Sequence, residues 1–155
     1  MGIKEFKGKF ATEDGLCLIA DDMVVRFAVA SEVTSYTIPN NITKIGTCAF
    51  DGASRLEEVN IPNSVTYIAY YAFRWCNFTN VTIPESVTSI GHQAFNFTHN
   101  LKNVYCKPLT PPQGSGSMFG GYNHEKIYVP IGSGEAYKTA DYWKDYAEMI
   151  EELEM

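Results

Sequence analysis

Three histidines, four cysteines and two serines in a glycine-rich run are the side chains of this sequence best suited to covalent or proton-transfer chemistry. A metal centre or proton relay would need imidazoles converging with carboxylates or thiolates. His92 and His99 are seven residues apart and His124 stands alone. His92 and His99 fall at variable, outward positions of a repeat, and all three are read as surface residues. Ser115 and Ser117 lie in a Gly-Ser-Gly-Ser run without the Gly-x-Ser-x-Gly elbow of a hydrolase, which reads as a flexible connection. No glycine-rich phosphate loop leads into a helix with a lysine, and no paired carboxylates face inward. Cys17, Cys48, Cys76 and Cys106 form no Cys-x-x-Cys pair and no zinc-spaced Cys/His cluster. They sit at different phases of the repeat and are expected to be free, mostly buried thiols acting as small apolar residues, although spacing alone leaves disulfides open. The chain is therefore read as non-enzymatic, with no cofactor, metal or catalytic residue.

Composition narrows the partners. The chain has 155 residues, 45% apolar and 19% charged, which suits a single globular domain with a real core. No run is apolar enough for a membrane span. Net charge is −6, and residues 141–155 hold six acids against Lys144 alone, a net −5. No basic stripe exists, so nucleic-acid phosphate is disfavoured.

What positions any functional side chain is a repeat. Ile38 to Asn60, Ile61 to Thr82 and Ile83 to Tyr105 are versions of one phrase, 23, 22 and 23 residues long. A fourth anchor, Val129-Pro130, lies 23 residues beyond Cys106. A period in the low twenties signals a solenoid, because each unit is too small to bury its apolar face alone. Val33/Tyr36/Ile38, Leu56/Val59/Ile61, Phe78/Val81/Ile83 and Leu101/Val104/Cys106 form core triads whose last two members alternate with a polar residue, as in a half-buried strand. Pro39, Pro62 and Pro84 then end those strands. The pairs Ile42/Ile45, Val65/Ile68 and Val87/Ile90 predict an extended segment on the opposite wall. Ala49-Phe50, Ala72-Phe73 and Ala94-Phe95 predict stacked rings inside the coil, with alanine where backbones approach.

The ends depart from the phrase. Within residues 3–32, Lys7 to Phe10 and Leu16 to Ala20 read as short strands leading to Met23–Ala28, a β-hairpin cap over the first coil. The regular repeats are 33–106. Residues 107–130 are a modified last repeat, in which a proline-rich and then flexible loop replaces the usual coil interior. Residues 131–155 are a helical cap, with Ser133 capping a helix through Ala140 and Asp141 capping another turn through Trp143 and Tyr146. Ala136, Tyr137 and Ala140 form its apolar side, Trp143 and Ile150 pack on the last coil, and Glu151 to Met155 fray.

Superposing the units gives two outward rows on the strands: Ser35, Glu58, Asn80, Asn103, Lys126 and Thr37, Asn60, Thr82, Tyr105, Tyr128. With strands roughly 4.8 Å apart they make a continuous polar wall ending in two tyrosines, and solenoids bind along such walls. The candidate partner-binding residues are Glu58, Asn60, Asn80, Thr82, Asn103, Tyr105, Lys126 and Tyr128. Tyr70, Tyr71 and Trp75 join them from an aromatic set that also includes Tyr67 and Phe97.

The phrases IPNSVTYIAYYAF and IPESVTSIGHQAF resemble the IPxSVTxIGxxAF unit of BspA-like leucine-rich repeat proteins. The lead-in GKFATEDGLCLIADD, the segment Thr110 to Pro112 and IYVPIGSGEAYKTADYWKDY resemble that family's ends, so the resemblance covers essentially the whole chain. Ala69-Tyr70-Tyr71 departs from the usual glycine-containing triplet, and Ala53 and Thr98 stand where the unit commonly has cysteine. The resemblance implies a predominantly β fold with short helices, a right-handed solenoid of leucine-rich-repeat type. It also implies display outside a bacterial cell, although MGIKEFKGKF carries no apolar export segment. The function implied is protein binding of an adhesion type, for example to a host matrix or another surface protein. A purely structural spacer within a larger surface protein and a glycan-binding module are the other readings.

Overall fold

Proline brings no amide hydrogen to a ladder, and in this chain it stops strands where the repeat predicts. The computed structural model describes residues 2–120 and 126–155; of the candidate residues named above, His124 lies outside them. The chain opens with a hairpin of β1 (Cys17–Ala20) and β2 (Met23–Phe27), paired antiparallel. It then winds between two walls. The first carries β3 (Ser35–Thr37), β5 (Glu58–Asn60), β7 (Asn80–Ile83), β9 (Asn103–Cys106) and β10 (Lys126–Pro130). The second carries β4 (Lys44–Ile45), β6 (Tyr67–Ile68) and β8 (Ser89–Ile90), which stack parallel on β2. Ile45, Ile68 and Ile90 are fully buried, so the short β-branched pairs do form the opposite wall. The result is a β-solenoid of about five turns.

Inside the coil a column of phenylalanines runs the length of the solenoid. Phe27, Phe50, Phe73, Phe95 and Phe119 stack with successive ring centroids 4.9, 4.9, 5.1 and 5.6 Å apart. Backbone bonds tie the column together. Phe27, Phe50 and Phe73 donate to Ala49, Ala72 and Ala94 at 2.7 Å each, and Phe95 donates to Met118 at 2.8 Å. Each fully buried ring contributes about 2–3 kcal/mol by removal from water, and each stacked pair about 0.5–1.5 kcal/mol more. The turns beside the column take left-handed backbone at two positions per coil, the first of them at residues other than glycine. Cys48, Tyr71, Gln93 and Ser117 have φ of 56°, 57°, 53° and 56° at equivalent positions. Such conformations cost an L-residue on the order of 1 kcal/mol, so the coil's hydrogen bonds impose them.

Three expectations need correction. Lys7 to Phe10 is not a strand: Gly8 turns there with φ 105°, and a single bridge, Ala11 to Leu18, joins the segment to the hairpin. Residues 113–120 do not form a flexible replacement for a coil. Gln113 bridges Ser89 in parallel, Gly116 accepts from Gln93, and Met118-Phe119 fills the place of Ala-Phe. The glycine at 116 lets the backbone pass beside His92, whose ring nitrogen lies 3.3 Å from where a Cβ would be. Finally, Glu151 to Leu153 are not frayed: β11 (Ile150–Leu153) adds to β10 as a parallel edge strand. The cap before it is α1 (Gly134–Thr139) and a 3-10 helix, Lys144–Met149. Ser133 does not cap α1 with its side chain but donates to Pro130 O at 2.6 Å. Asp141 accepts from Lys144 Nζ rather than capping, and Ala136 is exposed, leaving Tyr137 as the helix's buried anchor. Trp143 and Ile150 do pack on the last coil.

The four thiols are free, and Cys17, Cys76 and Cys106 are buried. Burial pushes the Cys17 thiol up to about 12 and also raises Cys76 and Cys106 well above the ordinary value. The folded state therefore holds neutral thiols that the unfolded chain ionises from about pH 8.5. The stabilisation is complete below that pH and declines above it, by up to about 1.4 kcal/mol per pH unit per thiol. Melting under reducing conditions should show Tm falling from about pH 8 to pH 10, with a shallower slope in Cys106→Ala; a flat wild-type profile refutes the assignment.

Candidate binding surface

The outward residues of the first wall lie in the predicted register. Ser35 and Thr37 pair with Glu58 and Asn60, Asn80 and Thr82 with Asn103 and Tyr105, and Asn103 and Tyr105 with Lys126 and Tyr128. Several are tied along the row: Asn60 Nδ2 donates to Thr37 Oγ1 at 3.3 Å and Asn103 Nδ2 to Asn80 Oδ1 at 2.9 Å. Tyr105 and Tyr128 stack with centroids 5.1 Å apart and planes at 18°. Lys126 is ion-paired with Glu151, whose hydrogen bond raises the lysine's pKa. Strand β11 thus extends the wall by one step, with Glu151 beside Tyr128 and Leu153 beside Pro130.

The wall is not continuous. No ladder joins β5 to β7 among the described residues; the wall is a two-stranded piece and a four-stranded piece. The break follows the turn from Phe73 to Phe78, which is one residue shorter than those from Phe50 to Leu56 and from Phe95 to Leu101. Asn77 N–H still meets Leu56 O at 3.1 Å. Beyond that bond an open groove lies between the strands, its polar lining including Glu57, Glu58, Asn60, Asn80, Thr82, Tyr105 and Lys107. Five of the candidate residues therefore converge on one polar groove. Glu57 and Lys107 were missed by sequence reasoning, because neither belongs to the outward strand rows. The one-residue shortening was the available signal.

The aromatic residues do not form one patch. Tyr70 and Tyr71 pack edge-on against His92, at 6.4 and 5.9 Å. The Arg74 guanidinium covers Tyr71 at 4.4 Å and holds Asp51 through two bonds of 2.7 and 2.9 Å. Trp75 belongs to a second cluster with Phe97 and His99. Tyr67 lies on β6 in register with Lys44 and Ser89 on the second wall. Among the described residues no group of three or more His, Cys, Asp or Glu side chains could hold a metal ion, and no helix is long and apolar enough to cross a membrane.

Residues 26–140 match the family model described as the BspA type leucine rich repeat region, in 6 copies. No protein of curated function matches the sequence. Among solved structures, a leucine-rich repeat protein from Eubacterium ventriosum superposes with a TM-score of 0.68 at 18% identity, over 98% of this chain and 40% of its own. A leucine-rich repeat protein of T. pallidum gives 0.59 at 20% identity, over 83% of this chain and 73% of its own. The pneumococcal vaccine antigen PcpA gives 0.55 at 15% identity, over 98% and 48%. These likenesses are of fold. The chain spans less than half the length of two of these three structures.

Proposed function

Because the chain belongs to the BspA-type leucine-rich repeat family, we propose that it is a non-catalytic binding module whose first wall docks another protein outside a bacterial cell. The observation that carries this reading is the convergence of Glu58, Asn60, Asn80, Thr82 and Tyr105 on the groove between β5 and β7. A groove of carboxylates, carboxamides and a hydroxyl beside stacked tyrosines suits a partner segment that brings hydrogen-bond donors and one aromatic or aliphatic anchor. Glu57 and Glu58 favour a basic residue at that end. Tyrosine is a frequent hot-spot residue, and truncating it at the centre of an interface commonly costs 2 kcal/mol or more.

Immobilised host matrix protein is the probe suggested by an adhesion role. Replacing both tyrosines, Tyr105→Ala with Tyr128→Ala, should weaken its capture of the purified protein by about tenfold or more while leaving Tm within a few degrees. Undiminished capture by the double variant removes the wall as the docking face. A wild-type chain that captures no matrix protein favours the spacer reading. Display outside the cell is checked separately, by protease accessibility of the protein on intact producing cells.

A further inference from the structure

Two bulky side chains occupy a backbone position that the first coil gives to glycine. Trp75 and Phe97 have φ of 60° and 57°, and their equivalent in the preceding coil is Gly52, with φ 80°. The three are held in file by the coil ladder: Gly52 N–H donates to Arg74 O at 2.8 Å and Trp75 N–H to Asn96 O at 3.1 Å. The Trp75 and Phe97 rings stack almost parallel, 4.5 Å apart with planes at 9°. They remain 45% and 42% exposed. Stacking on Phe97 fills one face of the indole, and His99 meets its edge at 5.4 Å. The other face looks back along the solenoid axis toward Gly52, where an added Cβ would meet nothing within 4 Å.

We infer that the open face of Trp75, above the step left clear by Gly52, is a subsite for one pyranose ring of a glycan. The ring's C–H face would lie on the indole, continuing the stack of Phe97 and Trp75. A pyranose also carries hydroxyls around its rim, and the same turns are rich in groups that bond them. Asp51 and Arg74 form a fixed carboxylate–guanidinium pair next in sequence to Gly52 and Trp75. Asn77, half-buried, and the exposed Asn100 are paired at 2.6 Å, and Arg55 pairs with Glu32 at the surface. Each of these paired groups keeps further donor or acceptor positions that a pyranose hydroxyl can bond and an aromatic or proline side chain cannot, so the surroundings favour the sugar. The Tyr70, Tyr71 and His92 cluster lacks this opening, because the Tyr71 face is covered by Arg74. The site is separate from the proposed protein-docking wall.

The test uses the protein's own two tryptophans. Trp143 is fully buried and Trp75 is exposed, so a ligand seated on the outer face changes the emission of Trp75. Titration with soluble tetrasaccharides of glucose, N-acetylglucosamine, galactose and mannose should give a saturable change for at least one of them. Trp75→Gly, which restores the residue type of the first coil, should abolish binding of the same sugar measured by calorimetry, without lowering Tm. Gly52→Phe, which copies Phe97 into the open step, should weaken binding at least tenfold by occupying the face, measured by calorimetry. The Tyr105→Ala, Tyr128→Ala variant should bind the sugar as wild type does, which keeps this result independent of the protein-docking reading. Absence of saturation with all four sugars overturns the proposal. So does binding that survives Trp75→Gly, or saturation only by an aromatic peptide.

Discussion

Phe73→Ala should lower stability by about 3–5 kcal/mol, the range for truncating a large buried aromatic side chain. Phe73 is fully buried and stands at the centre of the ring column, stacked on Phe50 and Phe95 and meeting Phe78 edge-on at 5.7 Å. The hole cannot close by local collapse, because the coils on either side are set at their spacing by the bonds from Phe50 to Ala72 and from Phe73 to Ala94. For a chain of this length the loss corresponds to a fall in Tm on the order of 10 °C. It takes a third or more of a typical domain's total stability. Phe73→Leu, which keeps most of the volume, should cost far less. Chemical denaturation of both variants decides the matter, and an alanine variant within 1 kcal/mol of wild type would show that the column is not a principal source of stability.

Trp143→Ala should be comparably severe and should fail differently. The indole is fully buried against Phe119 and Tyr137, and its Nε1–H donates to Pro112 O at 2.7 Å. Removing it costs about 3–5 kcal/mol in packing and leaves the Pro112 carbonyl without its donor. It also uncovers Phe119, the last ring of the column, at the end of the solenoid where no further coil follows among the described residues. The expected signature is a lower denaturation midpoint together with increased binding of a hydrophobic dye and concentration-dependent association in sedimentation. Trp143→Phe separates the contributions, since it keeps most of the packing and loses only the hydrogen bond, at about 1–3 kcal/mol. Loss of stability without dye binding or association would mean that the cap is not what shields the last coil.

Columns of identical residues were legible because each buried position carries a single constraint, volume, which Ile, Val, Ala and Phe report directly. That is why the two walls, the ring column and the hairpin's place in the fold follow from spacing. Residues 113–120 were misread because the coil there keeps its hydrogen bonds while changing its side chains. Met118 takes the alanine site, and glycines take positions that other coils fill with larger residues. The edge strand β11 was invisible for a related reason: only Ile150 of its residues is buried, and parallel pairing is made by backbone groups that every sequence shares. The outward rows were assigned correctly, but their continuity was not. The break falls where one residue is missing between Phe73 and Phe78, a difference in length that aligning the units by their apolar anchors hides. The aromatic set divided in two because exposed rings settle against their nearest neighbours along the axis, information that superposing units does not contain.

The split between β5 and β7 also bears on how the chain opens and closes. Hydrogen bonds between coils join residues roughly one repeat apart, so each coil can close on its neighbour without ordering a long loop. Stability then spreads from coil to coil, and the weakest coupling decides where the array parts first. On the first wall that coupling is the junction of the second and third coils, where the side chains stay stacked but the ladder is absent. Amide hydrogens flanking this seam, on Val59, Asn80 and Thr82, should exchange with solvent ahead of those on β9 and β10. The groove proposed as the docking site would then also be the hinge line of local unfolding, and a ligand that bridges it would act as a clasp.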